Sequence, residues 1–558
     1  MAVRRGSRRA AGAAADGRVR LLRLALLLCF LAIAARALWL TASSSGLTAM
    51  AQRQHERTVA LPAHRGDILD RGGLVLAVGK EARTVYATPR ELKDPLQAAG
   101  ELARVLRLKA EPLARLLEDR SSWYACVARQ IDPAQAKAVA ALDIPGVGSV
   151  PEEKRQYPMH RLAAQVIGYA GVDNKGLAGL EAQYEEELAG KPGSEIVACD
   201  PSGRILKTVR ASEPVTGKSL RLTIDSDIQF TAERVLGDTV RRFHAKAGAA
   251  IVMDPRNGEI LAMANVPTVD ANSYGKDLEH ARNRAVTDTF EPGSIFKVVT
   301  VAAALEEGLV KPDTKFRLKP QITVGERTIH EAHRRKTETF TVKRILAESS
   351  NVGAATLGVK LGRERLLQWL DRFGLGRLTG VGFPYEAAGI LPAYWTESTT
   401  GTVPMGQGVS VTALQMAAVY AAIANGGVLM RPRLVAQIGD QVAPPDEGTR
   451  VISAEVADQV LAMMNDAVME GTGTHFQIAG YKAAGKTGTA QKPDPKRGGY
   501  ALGKYVASFV GVVPSDHPRL VVLVSVDEPS GAIYGGTVAA PAAHDIAVFT
   551  LQHLKIAP

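Results

Sequence analysis

Apolar residues are spaced along this chain in several distinct rhythms, and each rhythm predicts a different element. Near the start, Leu24 to Ala35 is an unbroken apolar run of about 12 residues, the length of a signal-peptide core. Extended to Leu21–Leu40, with Arg23 and Arg36 reaching toward opposite interfaces, it becomes about 20 residues, enough for a helix to span a bilayer. The residues alone leave both a cleaved signal and a retained anchor open. Farther along, the stretch from Ile295 to Glu307 is apolar nearly all round, as in a helix buried within a core. It follows Pro292 and is closed by Gly308, the expected punctuation of a helix. Leu96 to Leu117 is predicted helical, and from Thr341 onward Val342, Ile345 and Leu346 share one helical face. Strand patterns differ. Two apolar runs between Ala249 and Ala264 flank Asn257-Gly258, a hairpin signal. Tyr505 to Val513 and Leu520 to Val526 flank Pro514-Ser-Asp-His-Pro518 and predict a second antiparallel pair. With helices between these pairs in sequence, the predicted layout is α+β, an antiparallel sheet with a helical cluster. Val442 to Gly448 and Gln491 to Leu502 read as exposed loops.

A length of 558 residues exceeds one ordinary domain. The chain changes character near Ser219: before it, Ala42 to Gly217 mixes helical stretches with Gly/Pro breaks. The net charge is +11, and part of that excess is concentrated. Arg4, Arg5, Arg8, Arg9, Arg18, Arg20 and Arg23 precede the first apolar run, which places the N-terminus in the cytoplasm. No nucleic-acid recognition motif accompanies the charge, so a basic face toward anionic phospholipid or polymer explains it more simply. Cys29 belongs to the apolar run; Cys126 and Cys199 can pair in an oxidising compartment or remain separate thiols. His330-Glu-Ala-His333 is one residue short of the zinc-protease spacing, lacks a third ligand, and reads as surface polar residues.

Three short groups carry candidate chemistry. Ser294-Ile-Phe-Lys297 opens the buried helix, where positions three apart share a face, so the lysine can reach the serine oxygen. A serine hydroxyl needs a base to become a nucleophile, and a lysine desolvated among Phe296, Val298 and Val299 can lose its proton and serve. A second Ser-x-x-Lys, Ser273-Tyr-Gly-Lys276, lies between loop-forming residues and has no fixed geometry. Ser349-Ser-Asn351 interrupts a helical stretch. It can be a helix cap, or it can present a hydroxyl that relays a proton and a carboxamide that binds an amide. Lys486-Thr487-Gly488 completes a phosphate-loop pattern from Gly480, but Pro493 and Pro495 follow too closely for the helix such a loop requires. A strand of small residues from Ala483 to Ala490, able to pair with an extended peptide, fits better. Lys486 would then supply positive charge, and Thr487 and Thr489 hydroxyls, to an anionic ligand group such as a terminal carboxylate.

Together these groups resemble the site of the class B penicillin-binding proteins, which are peptidoglycan D,D-transpeptidases. The likeness is greatest to the septal, cell-division type. Arg282-Asn-Arg-Ala-Val-Thr-Asp-Thr-Phe-Glu-Pro-Gly-Ser-Ile-Phe-Lys297 is similar to that type's nucleophile segment, with Ile295 where threonine is more usual. Gly406 to Gln415, Tyr505 to Gly511 and Tyr534 to Pro541 are similar to further family segments. Arg65-Gly-Asp-Ile-Leu-Asp-Arg71, Arg155-Gln-Tyr-Pro158 and Gly176-Leu-Ala-Gly-Leu-Glu181 resemble the signature of the non-catalytic pedestal. Met159-His160 departs from the small residue usual after Tyr-Pro.

The resemblance implies a cytoplasmic basic tail over 1–20, a transmembrane anchor over 21–41, a pedestal of the dimerisation type over 42–218 and a transpeptidase domain over 219–558. It implies Ser294 as the acylated nucleophile and Lys297 as its base. Ser349 and Asn351 form the second catalytic element, and Lys486, Thr487, Gly488 and Thr489 the third. Backbone N–H groups of Ser294 and Thr489 form the oxyanion hole, with no metal or cofactor. The implied substrates are peptidoglycan stem peptides ending in D-Ala-D-Ala, and β-lactams are the implied inhibitors. The implied setting is the inner membrane at the division septum, with the catalytic part outside the cytoplasm beside a SEDS-family glycosyltransferase and other division proteins. An elongation-type transpeptidase and a division scaffold with a vestigial site are the alternatives. A soluble β-lactamase would need neither anchor nor pedestal.

Overall fold

Five antiparallel strands, apolar on both faces, form the layer around which the C-terminal half is built. They are β1 (Ala247–Met253), β2 (Ile260–Val266), β3 (Ala484–Pro493), β4 (Tyr500–Val513) and β5 (Leu520–Asp527), in the order β2-β1-β5-β4-β3. Alternation along each strand sends side chains into two separate cores. Ala249, Ile251, Val521, Leu523, Val510 and Val512 face one; Ala250, Val252, Val522, Val524, Ala507 and Phe509 face the other. The computed structural model describes residues 7–42, 56–199, 205–444, 446–494 and 496–558.

The first core is filled by helices from the middle of the chain: α3 (Lys297–Glu306), α4 (Val342–Ala347), α5 (Asn351–Arg372), α6 (Ala413–Ala424) and α7 (Ala454–Met469). The second is covered by α2 (Ser226–Arg242) and α8 (Ala540–His553). Helices on both faces explain why β1 and β5 read as near-continuous apolar runs. Helix α3 is buried from Lys297 through Leu305, which accounts for its apolar character on every side. Both expected strand pairs form: β1 with β2, and β4 with β5.

The chain divides into two units, residues 1–63 with 191–215 and residues 64–190 with 216–558. The first contains helix α1 (Ser7–Ala42). Its segment Gly17–Ala42, 26 residues with a mean hydropathy of 2.2, is long and apolar enough to cross a membrane. The same unit holds a three-stranded antiparallel sheet with Gly193–Cys199 between Glu56–Leu61 and Ile205–Ser212. The first residues of the basic tail and the side chain of Cys199 lie outside the described residues. Cys126 is an exposed free thiol.

In the second unit, the three pre-catalytic signature segments converge on one carboxylate. Arg65 Nε and Arg155 Nε donate to the two oxygens of Glu181 at 2.7 and 2.6 Å. Tyr157 Oη donates to Glu181 at 3.2 Å, and Arg65 also pairs with Glu185 at 2.7 Å. Arg65, Arg155 and Glu181 are all buried. Arg65-Gly-Asp is thus an interior structural element. One sheet also crosses the expected boundary at 218, since Leu220–Leu222 pairs with Ile68–Leu69 on one side and Val435–Ile438 on the other.

Two local expectations are corrected. Leu96–Leu117 is two helices, Pro95–Leu106 and Ala110–Glu118, broken at Arg107 in the left-handed region. Gln491–Leu502 is not a plain loop: β3 and β4 continue into it, with Gln491 opposite Tyr505 and Pro493 opposite Tyr500. Backbone pairing extends these strands beyond the core, where side-chain hydropathy carries no signal.

Candidate active site

Ser294 sits in a single 3-10 turn, Gly293–Phe296, that leads directly into α3. In this tighter helix positions three apart eclipse, which aligns Lys297 with Ser294 along the axis, while the hydrogen bonds of Lys297 Nζ run to Ser349 and Asn351. The Lys297 N–H donates to the Ser294 carbonyl and closes the turn. Three contacts hold the turn in place. Gly293, at φ +54, donates its N–H to Gly406 O at 3.0 Å. A side chain on Gly293 would crowd Ala490 and the Thr489 carbonyl at 3.3 Å. Behind the turn, the buried Tyr420 hydroxyl donates to Ile295 O at 2.9 Å.

The second group is a junction between helices. α4 ends at Ala347, α5 begins at Asn351, and Ser350 caps α5 by accepting the Gly353 N–H at 2.9 Å. Ser349 makes the corner at φ +60, a left-handed conformation costing roughly 1–2 kcal/mol for a residue with a side chain. Lys297 Nζ donates to the Ser349 carbonyl at 2.6 Å and to Asn351 Oδ1 at 2.7 Å, with Ser349 Oγ at 3.3 Å. Lys297 is wholly buried, and desolvation pulls its pKa down to about 7, against a smaller opposing pull from the Glu331 carboxylate. A neutral amine has two N–H donors and one lone pair. The two oxygens at 2.6 and 2.7 Å satisfy both donors and leave the lone pair free to receive a proton.

The third group lies on β3, an edge strand of the five-stranded sheet. Gly488 lies between β4 and the nucleophile turn: an added Cβ would collide with Ser508 Oγ and meet the Pro292 carbonyl at 3.0 Å and Ile295 at 3.1 Å. Thr487 Oγ1 bonds with Thr472 Oγ1 at 2.8 Å, and Thr489 Oγ1 accepts the Gly535 N–H at 3.1 Å. Lys486 differs from the expectation that it meets a ligand anion directly. Its side chain is fully buried and is not part of the cleft wall. Burial drives its pKa well below the ordinary lysine value, and the nearby Lys297 adds to this.

A cleft of about 390 Å³ joins the three groups, with Ser294, Ser349, Asn351, Thr487 and Thr489 on its wall. His333, His475 and Tyr534 complete the rim, the His333 and Tyr534 rings lying 6.1 Å apart. Ser273 and Lys276 are remote, in a separate short 3-10 segment. Sequence reasoning missed Glu331. Its carboxylate accepts from Ser350 Oγ at 2.5 Å and from the Asn351 N–H at 2.7 Å. No local pattern announces a contact spanning 20 positions.

Residues 248–547 match the family model described as the penicillin binding protein transpeptidase domain, and residues 60–222 the penicillin-binding protein dimerisation domain. The chain is 36% identical to the probable peptidoglycan D,D-transpeptidase PenA of Neisseria gonorrhoeae, over 97% of this chain and 94% of that protein. It is 33% identical to the peptidoglycan D,D-transpeptidase FtsI of Escherichia coli, over 90% and 86%. Among solved structures, penicillin binding protein 3 of Mycobacterium tuberculosis superposes with a TM-score of 0.71 at 32% identity, covering 89% of this chain and 98% of that one.

Proposed function

The chain belongs to the class B penicillin-binding proteins, a family of peptidoglycan D,D-transpeptidases, and we propose that it cross-links stem peptides of the septal wall through an acyl-enzyme on Ser294. The observation that carries this reading is the arrangement at Lys297: a buried amine one 3-10 turn from Ser294, with both donors occupied by Ser349 O and Asn351 Oδ1.

Neutral Lys297 takes the Ser294 Oγ proton as Oγ bonds to the carbonyl carbon of the penultimate D-alanine. The carbonyl electron pair moves onto oxygen, where backbone N–H groups of Ser294 and Thr489 stabilise it. Collapse breaks the C–N bond, and the departing D-alanine nitrogen receives a proton from Lys297 through Ser349 Oγ. The amine of a second stem peptide then attacks the ester, its proton passes to Lys297 and on to Ser294 Oγ, and the ester C–O bond breaks. Along edge strand β3 the donor peptide adds as a further strand, its terminal carboxylate held by Thr487, Gly488 and Thr489. Lys486 acts from behind the strand: two buried amines this close repel, which favours one shared proton over two.

The same reading takes α1 as a single-pass anchor, with the basic residues before it in the cytoplasm and the catalytic unit outside. A SEDS-family glycosyltransferase and other division proteins are its partners, and β-lactams acylate Ser294 in place of substrate. The test is incubation of the purified protein with a fluorescent penicillin. Wild type should label covalently and Ser294→Ala should not; labelling that persists in the variant rejects the assignment. For the cellular role, depletion should give filaments, whereas rounded cells without filaments would indicate an elongation enzyme.

A further inference from the structure

We propose that Glu331 is a positioning residue for the acyl-transfer site, gripping Ser350 and Asn351 so that the junction faces Lys297 while placing one negative charge near that amine. The inference rests on the assignment of Lys297 as base. Glu331 lies in a short connection between strand Arg327–His330 and strand Glu338–Thr341. Its side chain is 8% exposed and grips the junction between α4 and α5. One oxygen accepts from Ser350 Oγ at 2.5 Å and the other from the Asn351 N–H at 2.7 Å. Arg335 anchors the carboxylate from the far side, Nη2 to Oε1 at 2.5 Å, while Nη1 donates to Leu318 O at 3.1 Å. The same connection supplies a second tie, since Asn351 Nδ2 donates to His330 O at 3.0 Å.

The Asn351 oxygen that receives Lys297 Nζ is therefore fixed from outside its own helix. Asn351 is held at its backbone by Glu331 and at its carboxamide by His330 O, which leaves Oδ1 turned to Nζ. Ser349, in its left-handed corner, is followed by a residue whose hydroxyl is also bound to Glu331. A corner held in an unfavourable conformation persists only where its surroundings impose it. Here the end of α4 imposes it, the Ser349 N–H donating to Leu346 O at 3.2 Å and the Ser350 N–H to Ile345 O at 2.9 Å, and Glu331 ties the corner to the rest of the site through Ser350 Oγ.

Several charged groups surround Lys297, and they separate cleanly. Lys486 on β3 opposes its protonation. Glu331 favours it. Glu348, on the α4 side, is engaged by Arg344 Nε at 2.5 Å. His333 and His475 stand on the cleft rim. Glu331 is thus the group whose removal changes both geometry and charge at once, and the two consequences have different signatures.

The experiment measures the rate of fluorescent-penicillin acylation between pH 5.5 and 9 for wild type, Glu331→Gln and Glu331→Asp. In Glu331→Gln the plateau rate should fall about 10- to 100-fold as the junction loosens. The rising limb should also move to lower pH, by up to about one unit, because the ammonium loses its neighbouring carboxylate. Glu331→Asp keeps the charge, so its limb should stay in place while its plateau partly recovers. A Glu331→Gln plateau within twofold of wild type, or a lowered plateau with an unmoved limb, overturns the inference; the second pattern is what a merely structural residue would produce. Wild-type protein that never labels would instead overturn the function on which the inference rests.

Discussion

The amine of Lys297 meets the carboxamide oxygen of Asn351 at 2.7 Å, across 54 positions of sequence. That bond ties the nucleophile turn to the junction between α4 and α5, and it makes the base sensitive to whatever stands at position 351. Replacing Asn351 by Asp puts a carboxylate against Nζ and favours the ammonium form. The pH at which acylation switches on should rise above 7, by about one unit or more. Asn351→Ala removes the acceptor without adding charge and should slow acylation about 10- to 100-fold. Acylation rates with both variants across pH check the pair of outcomes.

The wild-type profile follows from burial. Desolvation lowers the Lys297 pKa to about 7, so below that value the amine holds a proton and cannot take one from Ser294. Acylation should climb about tenfold per unit up to pH 7 and level off above it. A limb near the ordinary lysine value, about 10.4, would show that the amine is hydrated and protonated at neutral pH, against its assignment as a neutral base. Lys297→Arg should abolish acylation throughout, since a guanidinium keeps its proton at all working pH values.

Gly488 should tolerate no side chain. A methyl group there collides with Ser508 Oγ on β4 and crowds the Pro292 carbonyl and Ile295, and so presses β3 against the turn that carries Ser294. Gly488→Ala is expected to cost about 1–3 kcal/mol of stability, as overpacking does. Acylation should fall further than the loss of folded protein explains. Thermal unfolding, combined with labelling of the folded fraction, separates the two effects.

The carboxylate of Glu181 compensates two buried guanidinium groups, those of Arg65 and Arg155. Glu181→Ala strands the Arg155 charge, leaves Arg65 with Glu185 alone, and should destabilise by about 3–5 kcal/mol. Glu181→Gln, which retains oxygen and nitrogen but not charge, should lie between. Denaturant midpoints measure the series, and a loss under 1 kcal/mol for the alanine variant would mean that water reaches the arginines.

Much of this molecule is written in local pattern. The buried character of α3, the two antiparallel pairs β1/β2 and β4/β5, and the amphipathic face of Val342, Ile345 and Leu346 each follow from hydropathy repeating at the period of the element. The extended conformation of Lys486-Thr-Gly follows from prolines that forbid a helix soon after it. The long apolar helix near the N-terminus is legible from composition alone.

What tertiary structure decided is of another kind. That Lys297 Nζ meets Asn351 Oδ1, that Lys486 is sealed behind β3 rather than open to the cleft, and that Glu331 grips a junction 20 positions away are all products of contacts between distant segments. Periodicity records only which face of an element is apolar. Desolvation of an amine, and the hydrogen bonds that orient it, depend on what the rest of the chain packs against that face.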